Sequence, residues 1–353
     1  MKKLIFLFQV FLAAFFVIGL INTDAVAGRD HRESRFSRLD RPSLEQSAQK
    51  NPAPSAGGEA GRPVTVAVVP SYHHIRHDDL TTVMDGTPLK SGSGTSRLGS
   101  IILTAAKPIN ETVSLSWIYQ YTFGHYRGGL LVPDLPAFDG RSDLSLSSSM
   151  TGVIADFFLG RAGHLNVNFL VAWDSFSGQE TMTTPFGRET RSVGRRDTRL
   201  GSVTAWYEIP FDLGQGLTLS PYAGWRTIRA CLRGLAVWTE PPGTTSASNA
   251  WSHIYSGGLT LSYDRGPLNW KLWSGWNQRT KKGNIPGFAS RAYSPGVANL
   301  GWMNNWDQGV WTYGFSVSRA VTDGVVLDFS YNGHKGSHTL AQAGNLAVVW
   351  IFK

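Results

Sequence analysis

From about residue 63 onward, apolar side chains recur at every second position. "TVSLSWIYQYTF" places Val113, Leu115, Trp117, Tyr119, Tyr121 and Phe123 on one parity, opposite Thr112, Ser114, Ser116, Ile118, Gln120 and Thr122. Successive side chains of a strand point to opposite faces, so this segment predicts a strand with one apolar face. "HLNVNFLVAWD" does the same with Leu165, Val167, Phe169, Val171 and Trp173 against Asn166, Asn168 and Asp174. "NWKLWSGW" sets Leu268, Trp270, Leu272 and Trp276 against Lys271 and Asn277. Two later segments repeat the scheme with Trp311, Tyr313, Phe315 and Val317, then Val325, Leu327, Phe329 and Tyr331. The chain ends "GNLAVVWIFK", with Leu346, Val348, Trp350 and Phe352 on one face. Half-buried strands of a soluble sandwich alternate too. Here the second face is rich in Ser, Thr, Asn and Gly, and aromatics gather near strand ends on the first. That is the lipid-out, polar-in pattern of a transmembrane barrel with aromatic girdles. The segment "LGSIILTAA" (98–106) is apolar on both parities and leaves its facing open.

Short and long connections alternate along the chain. Short ones fall near 107–110, 160–163, 212–216, 264–267 and 322–325. Longer polar stretches fall near 73–96, 124–143, 176–196, 230–250 and 278–308, and a last one at 333–343 is shorter. Short periplasmic turns and long external loops have this rhythm. It predicts an all-β fold: a closed antiparallel barrel of about twelve strands with both termini periplasmic. Closure is required, because a sheet edge in lipid leaves N–H and C=O groups unpaired. Residues 297–306, "VANLGWMNNW", are assigned to a loop, since one more strand makes the count odd.

The front of the chain sets the compartment. Lys2 and Lys3 precede an apolar run from Leu4 to Ile21, and Ala25-Val26-Ala27 supplies a small-residue cleavage site before Gly28. Residues 1–27 read as a secretory signal peptide; the alternative is an uncleaved membrane anchor. Residues 28–62 carry Arg29, Arg32, Arg35, Arg38 and Arg41 among acidic residues, followed by the linker-like "NPAPSAGGEAGRP". This basic polyampholyte is either a free tail or a segment that orders in the lumen as a plug. Residues 63–353 form the barrel domain, in the bacterial outer membrane. The composition agrees: 42% of residues are hydrophobic, and the 16% that are charged fall below the share of an ordinary soluble domain. The single Cys excludes an internal disulfide.

The ending of the chain is similar to the signal by which outer-membrane barrels are recognised for assembly. Val348, Trp350 and Phe352 match its alternating apolar side, while Ala347 stands where that signal often has Gly and Lys353 follows the final aromatic. "GLTLSPYAGWRTIR" (216–229) resembles the strand of autotransporter-type translocator barrels in which an L-x-P-Y-A-G stretch follows a periplasmic turn. The resemblance covers roughly residues 62–353. It implies a twelve-stranded barrel with an N-terminal segment entering the lumen, and the barrel-assembly machinery as a partner.

Candidate chemistry is sparse. His73, His74, His77, Asp78 and Asp79 cluster in "HHIRHDD", but no second His group completes a metal site. His334, Ser337 and His338 in "NGHKGSHT" place a serine among histidines, and a lipid-modifying hydrolase is the alternative function this raises. A nucleophile needs a base within reach and a third group to orient it, and adjacent residues of a strand point apart. No cofactor site or nucleic-acid motif is present. The parity assigns Asp174, Glu208, Arg226, Lys271 and Asp328 to the lumen. Much of the net charge of +8 lies in the external stretches, a basic rim suited to lipopolysaccharide phosphates. The sequence therefore predicts a non-enzymatic outer-membrane barrel, monomeric, acting as a small passive pore or a surface or translocator barrel.

Overall fold

The computed structural model describes residues 63–84, 87–129, 132–232, 236–237, 243–244, 248–265, 268–282 and 309–352. Residues 1–27, read above as a signal peptide, residues 28–62 and residues 297–306 lie outside them. Twelve long strands follow in chain order: β1 (Val64–His77), β2 (Gly94–Pro108), β3 (Val113–Gly129), β4 (Asp139–Phe158), β5 (His164–Thr184) and β6 (Gly187–Glu208). The second half is β7 (Leu217–Leu232), β8 (Ser248–Arg265), β9 (Leu268–Lys282), β10 (Gly309–Thr322), β11 (Val325–Lys335) and β12 (Thr339–Phe352).

Each strand pairs antiparallel with the next. β6 pairs with β7 through registers such as Tyr222↔Glu208 and Trp225↔Ala205. β12 returns to β1 through Val64↔Phe352 and Val66↔Trp350. The ring is therefore closed, with every long strand paired on both sides. β9 pairs directly with β10, so the ring closes without residues 297–306.

The alternation decides which face is enclosed. On β3, Ser114, Ser116, Ile118, Gln120 and Thr122 are buried, while Leu115, Trp117, Tyr121 and Phe123 are exposed. The two-sided β2 resolves the same way: Leu98, Ile102 and Ala106 point into the ring, and Ile101 and Leu103 point out. Its facing was illegible because its inner face is apolar as well.

At one end the connections are tight. Asn110 Oδ1 accepts from the backbone N–H groups of Thr112 and Val113, closing the β2–β3 turn. A single 3-10 turn, Gly160–Ala162, links β4 to β5. Between β6 and β7, Gly214, Gln215 and Gly216 all have positive φ, which the two glycines adopt without penalty. The other end departs from the sequence reading. The polar stretch 176–196 is no loop: β5 and β6 run on as a hairpin that turns between Thr184 and Gly187. These strands have 21 and 22 residues, whereas about 9–11 suffice to cross a membrane. Backbone pairing persists above the apolar band, where the alternation that marks a strand in sequence fades into Thr, Glu and Arg. Residues 78–93 likewise contain a small hairpin, Leu80–Met84 with Thr87–Ser91.

Candidate functional site: the enclosed wall

The wall facing the lumen is built by the polar parity of every strand. Asp174, Glu208, Arg226, Lys271 and Asp328 all lie on it, each less than a tenth exposed. Glu208 and Lys271 approach to 3.9 Å although two strands, β7 and β8, separate theirs. Asp174 accepts a short hydrogen bond from the Ser148 hydroxyl. Arg226 Nε donates to Thr204 Oγ1 at 2.7 Å. Asp328 sits opposite Ser318 on β10 and Ala347 on β12.

Sequence reasoning did not single out three further features. Asp156 and His164 pair at 2.8 Å across the β4–β5 turn, and Asn166 Nδ2 donates to the same carboxylate oxygen at 2.9 Å. Their inward parity on the two strands flanking a short turn was the available signal. Arg279 Nε donates to Ser252 Oγ at 2.8 Å. The third feature is apolar: Trp206, Tyr222 and Trp273 are buried against the wall, although most tryptophans here face outward.

These inward rings fit because the wall offers glycines beneath them. The Trp206 and Tyr222 rings stack at 4.4 Å between centroids. A Cβ on Gly224 would overlap the Trp206 ring, and one on Gly258 or Gly275 would meet the Tyr222 hydroxyl. A Cβ on Gly314 would overlap the Trp273 ring. Each ring therefore lies flat over neighbouring strands instead of projecting into the bore. The "PYAG" stretch acquires a physical meaning: Tyr222 supplies a ring and Gly224 a receiving surface, two residues apart on the same face. Gly275→Val is expected to displace Tyr222 and cost about 1–3 kcal/mol, the usual penalty of overpacking. Urea unfolding of the detergent-folded barrel measures this, and Tyr222→Ala in the same background should recover part of the loss. A Gly275→Val barrel as stable as its parent would show that the ring has room to spare.

The other candidate clusters are taken apart by the fold. His73 and His77 belong to β1 and point inward. His73 Nε2 lies 3.2 Å from Ser100 Oγ, and His77 stacks on Tyr126 with Nε2 3.0 Å from its hydroxyl. Among the described residues no group of three His, Cys, Asp or Glu side chains is placed to hold a metal. His334 is buried on the enclosed face of β11, whereas Ser337 and His338 are exposed in the β11–β12 turn. At the chain's end, Trp350 and Phe352 are exposed on the outer face and Val348, on the same parity, is partly so.

No protein-family model and no curated protein sequence matches the chain. Solved structures do. The translocator domain of the autotransporter NalP from Neisseria meningitidis is similar with a TM-score of 0.59 at 12% identity, over 92% of this chain and 98% of that one. The β domain of the Bordetella autotransporter BrkA gives 0.49 at 11% identity, over 80% and 99%. The transport unit of AIDA-I from Escherichia coli gives 0.48 at 8%, over 87% and 96%. The chain thus folds as a closed twelve-stranded antiparallel β-barrel, and that fold is shared with the NalP translocator domain.

Proposed function

We propose that the chain is an integral outer-membrane protein whose barrel serves as a narrow passive pore or a translocator-type conduit, exported by residues 1–27 and mature from Gly28. One observation carries the reading: the closed ring exposes an apolar and aromatic belt outward and encloses a polar wall. Trp117, Phe169, Leu259, Leu272, Phe315 and Phe329 are each more than a third exposed. Asn166, Asn168, Thr260, Thr312 and Ser316 are fully buried. Water favours the reverse arrangement, and lipid favours this one. The short-turn end, which also carries Val64 and Phe352, faces the periplasm in this reading, and the long hairpins face outward.

Twelve strands lie between the eight that side chains alone fill and the sixteen to eighteen that leave a wide aqueous channel. The described wall carries both charge signs with a small excess of carboxylates, so its preference among ions is weak and leans to cations. The test has two parts. The protein is expected in the outer-membrane fraction, migrating faster on gels before boiling than after, because a closed barrel has its strand pairing satisfied internally. Planar-bilayer recording of the refolded chain is expected to show small, weakly selective conductance steps. Recovery from the soluble periplasm with one gel mobility, or a folded barrel that conducts nothing and leaks no solute, overturns the reading.

A further inference from the structure

The outer surface carries a groove of about 490 Å³ that crosses the strands from Trp117 on β3 to Trp251 on β8. At a strand spacing of about 4.8 Å, five spacings give a path of roughly 24 Å. Its floor follows one row of outward partners: Thr151↔Val171, Val171↔Gly201, Gly201↔Arg229 and Arg229↔Trp251. Gly201 makes the groove deep, since a Cβ there would meet nothing within 4 Å. Phe169 and Val203 form one bank and are partners of each other. No carboxylate lines the groove.

The row climbs the barrel. Thr151 lies seven residues from the short-turn end of β4, which ends at Phe158, and Arg229 lies twelve residues from that end of β7, which starts at Leu217. An apolar band about 25 Å tall therefore ends near Arg229. There the charge changes. Arg229 is exposed on the outer face with its guanidinium 5.5 Å from the Trp251 ring centroid, which holds it over the groove's upper mouth. Arg199 is exposed on the same face of the adjacent strand, two residues beyond Gly201.

We propose that this groove is a specific lipid site that takes one molecule of the phosphorylated lipid A part of lipopolysaccharide. An acyl chain lies along Val171, Gly201 and Val203, and a phosphate rests on Arg229 and Arg199. The chemistry at each end matches its depth. A smooth apolar channel sits where acyl chains are, and two guanidinium groups sit where outer-leaflet phosphates are. Arginine binds phosphate through two parallel N–H donors and retains its charge throughout. The inference rests on the outer-membrane reading and its orientation, which fractionation and bilayer recording test separately.

The full chain, refolded in detergent, is mixed with purified lipid A and an equal amount of phosphatidylglycerol and analysed by native mass spectrometry. The parent is expected to retain one lipid A in preference to phosphatidylglycerol. The double variant Arg199→Gln/Arg229→Gln should lose retention by about tenfold, the equivalent of one charge-assisted contact. Gly201→Phe fills the groove from an outward position with free space beside it, and should lose retention similarly while keeping the heat-dependent gel shift. The proposal is overturned if either folded variant holds lipid A as the parent does, or if the parent holds phosphatidylglycerol equally well. Should the glycine variant fail to fold, the arginine variant, confined to exposed positions on the outer face, decides the matter.

Discussion

Phe329→Arg is expected to destabilise the barrel by about 2–4 kcal/mol, whereas Leu327→Arg, two residues away on the same face, should cost at most about 1 kcal/mol. Both side chains point outward and are over a third exposed. They differ in depth. Phe329 is the fifth residue of β11 and lies among Phe315, Val317 and Leu346, with the Phe315 ring 5.9 Å away. A guanidinium there sits near the middle of the hydrocarbon, beyond easy reach of either headgroup layer. Leu327 is close to the short-turn end, and its partner on β10 is already an arginine, Arg319. A second arginine at that level extends to the interface, as long basic side chains do. Reversible unfolding in lipid vesicles gives both values, with Phe329→Leu as a packing control. Equal costs for the two arginine variants would remove the depth argument. A Phe329→Arg barrel as stable as its parent would reverse the assignment of outer and inner faces.

That prediction draws on a facing legible in sequence. The alternation at Val113–Phe123 and Leu165–Trp173 needs only the two-residue period of a strand, and the short-turn positions followed from Asn, Asp and Gly placement. Twelve strands were countable because each turn separates two such runs. What sequence could not show falls into three kinds. The upper halves of β5 and β6 have no apolar face: beyond the apolar belt, residues 187–198 are mostly Arg, Thr, Ser, Gly and Glu. Trp206, Tyr222 and Trp273 share the parity of Glu208, Arg226 and Lys271, so their facing was legible, but the glycines that seat their rings lie one or more strands away and that seating is a property of register. The Glu208–Lys271 approach joins residues far apart in the chain and needs the ring to be closed. By contrast, Asp156 and His164 flank one turn with matching parity, and that pair was readable.

Deleting residues 28–58 while keeping residues 1–27 is expected to raise single-channel conductance if the segment plugs the lumen. The deletion removes a segment with arginines at 29, 32, 35, 38 and 41 that precedes β1. β1 begins at Val64 beside Phe352, at the end of the ring with the short turns, so a plug formed by residues 28–58 would enter the lumen from that mouth. The described wall offers it an excess of acid: Asp156, Asp174, Glu180, Glu208 and Asp328 are buried there, against Arg226, Lys271 and Arg279. Asp156 and Asp174 each present a buried carboxylate oxygen with no hydrogen bond. Against this stands ordering entropy of about 1–2 kcal/mol for each backbone residue fixed. Solvated ion pairs return only about 0–1 kcal/mol each and do not offset that cost. A pair formed with an enclosed carboxylate gains more Coulomb energy than a solvated one but costs the arginine its hydration, so only well-placed pairs contribute. The balance therefore turns on how many arginines reach the wall. Arg29, Arg32 and Arg35 replaced together by Gln should reproduce part of the increase, since the chain's bulk remains but its anchors are gone. Added salt should matter little if the contacts are enclosed and greatly if they are not. Unchanged conductance in a folded deletion variant would leave residues 28–58 as a periplasmic tail and the bore set by the wall alone.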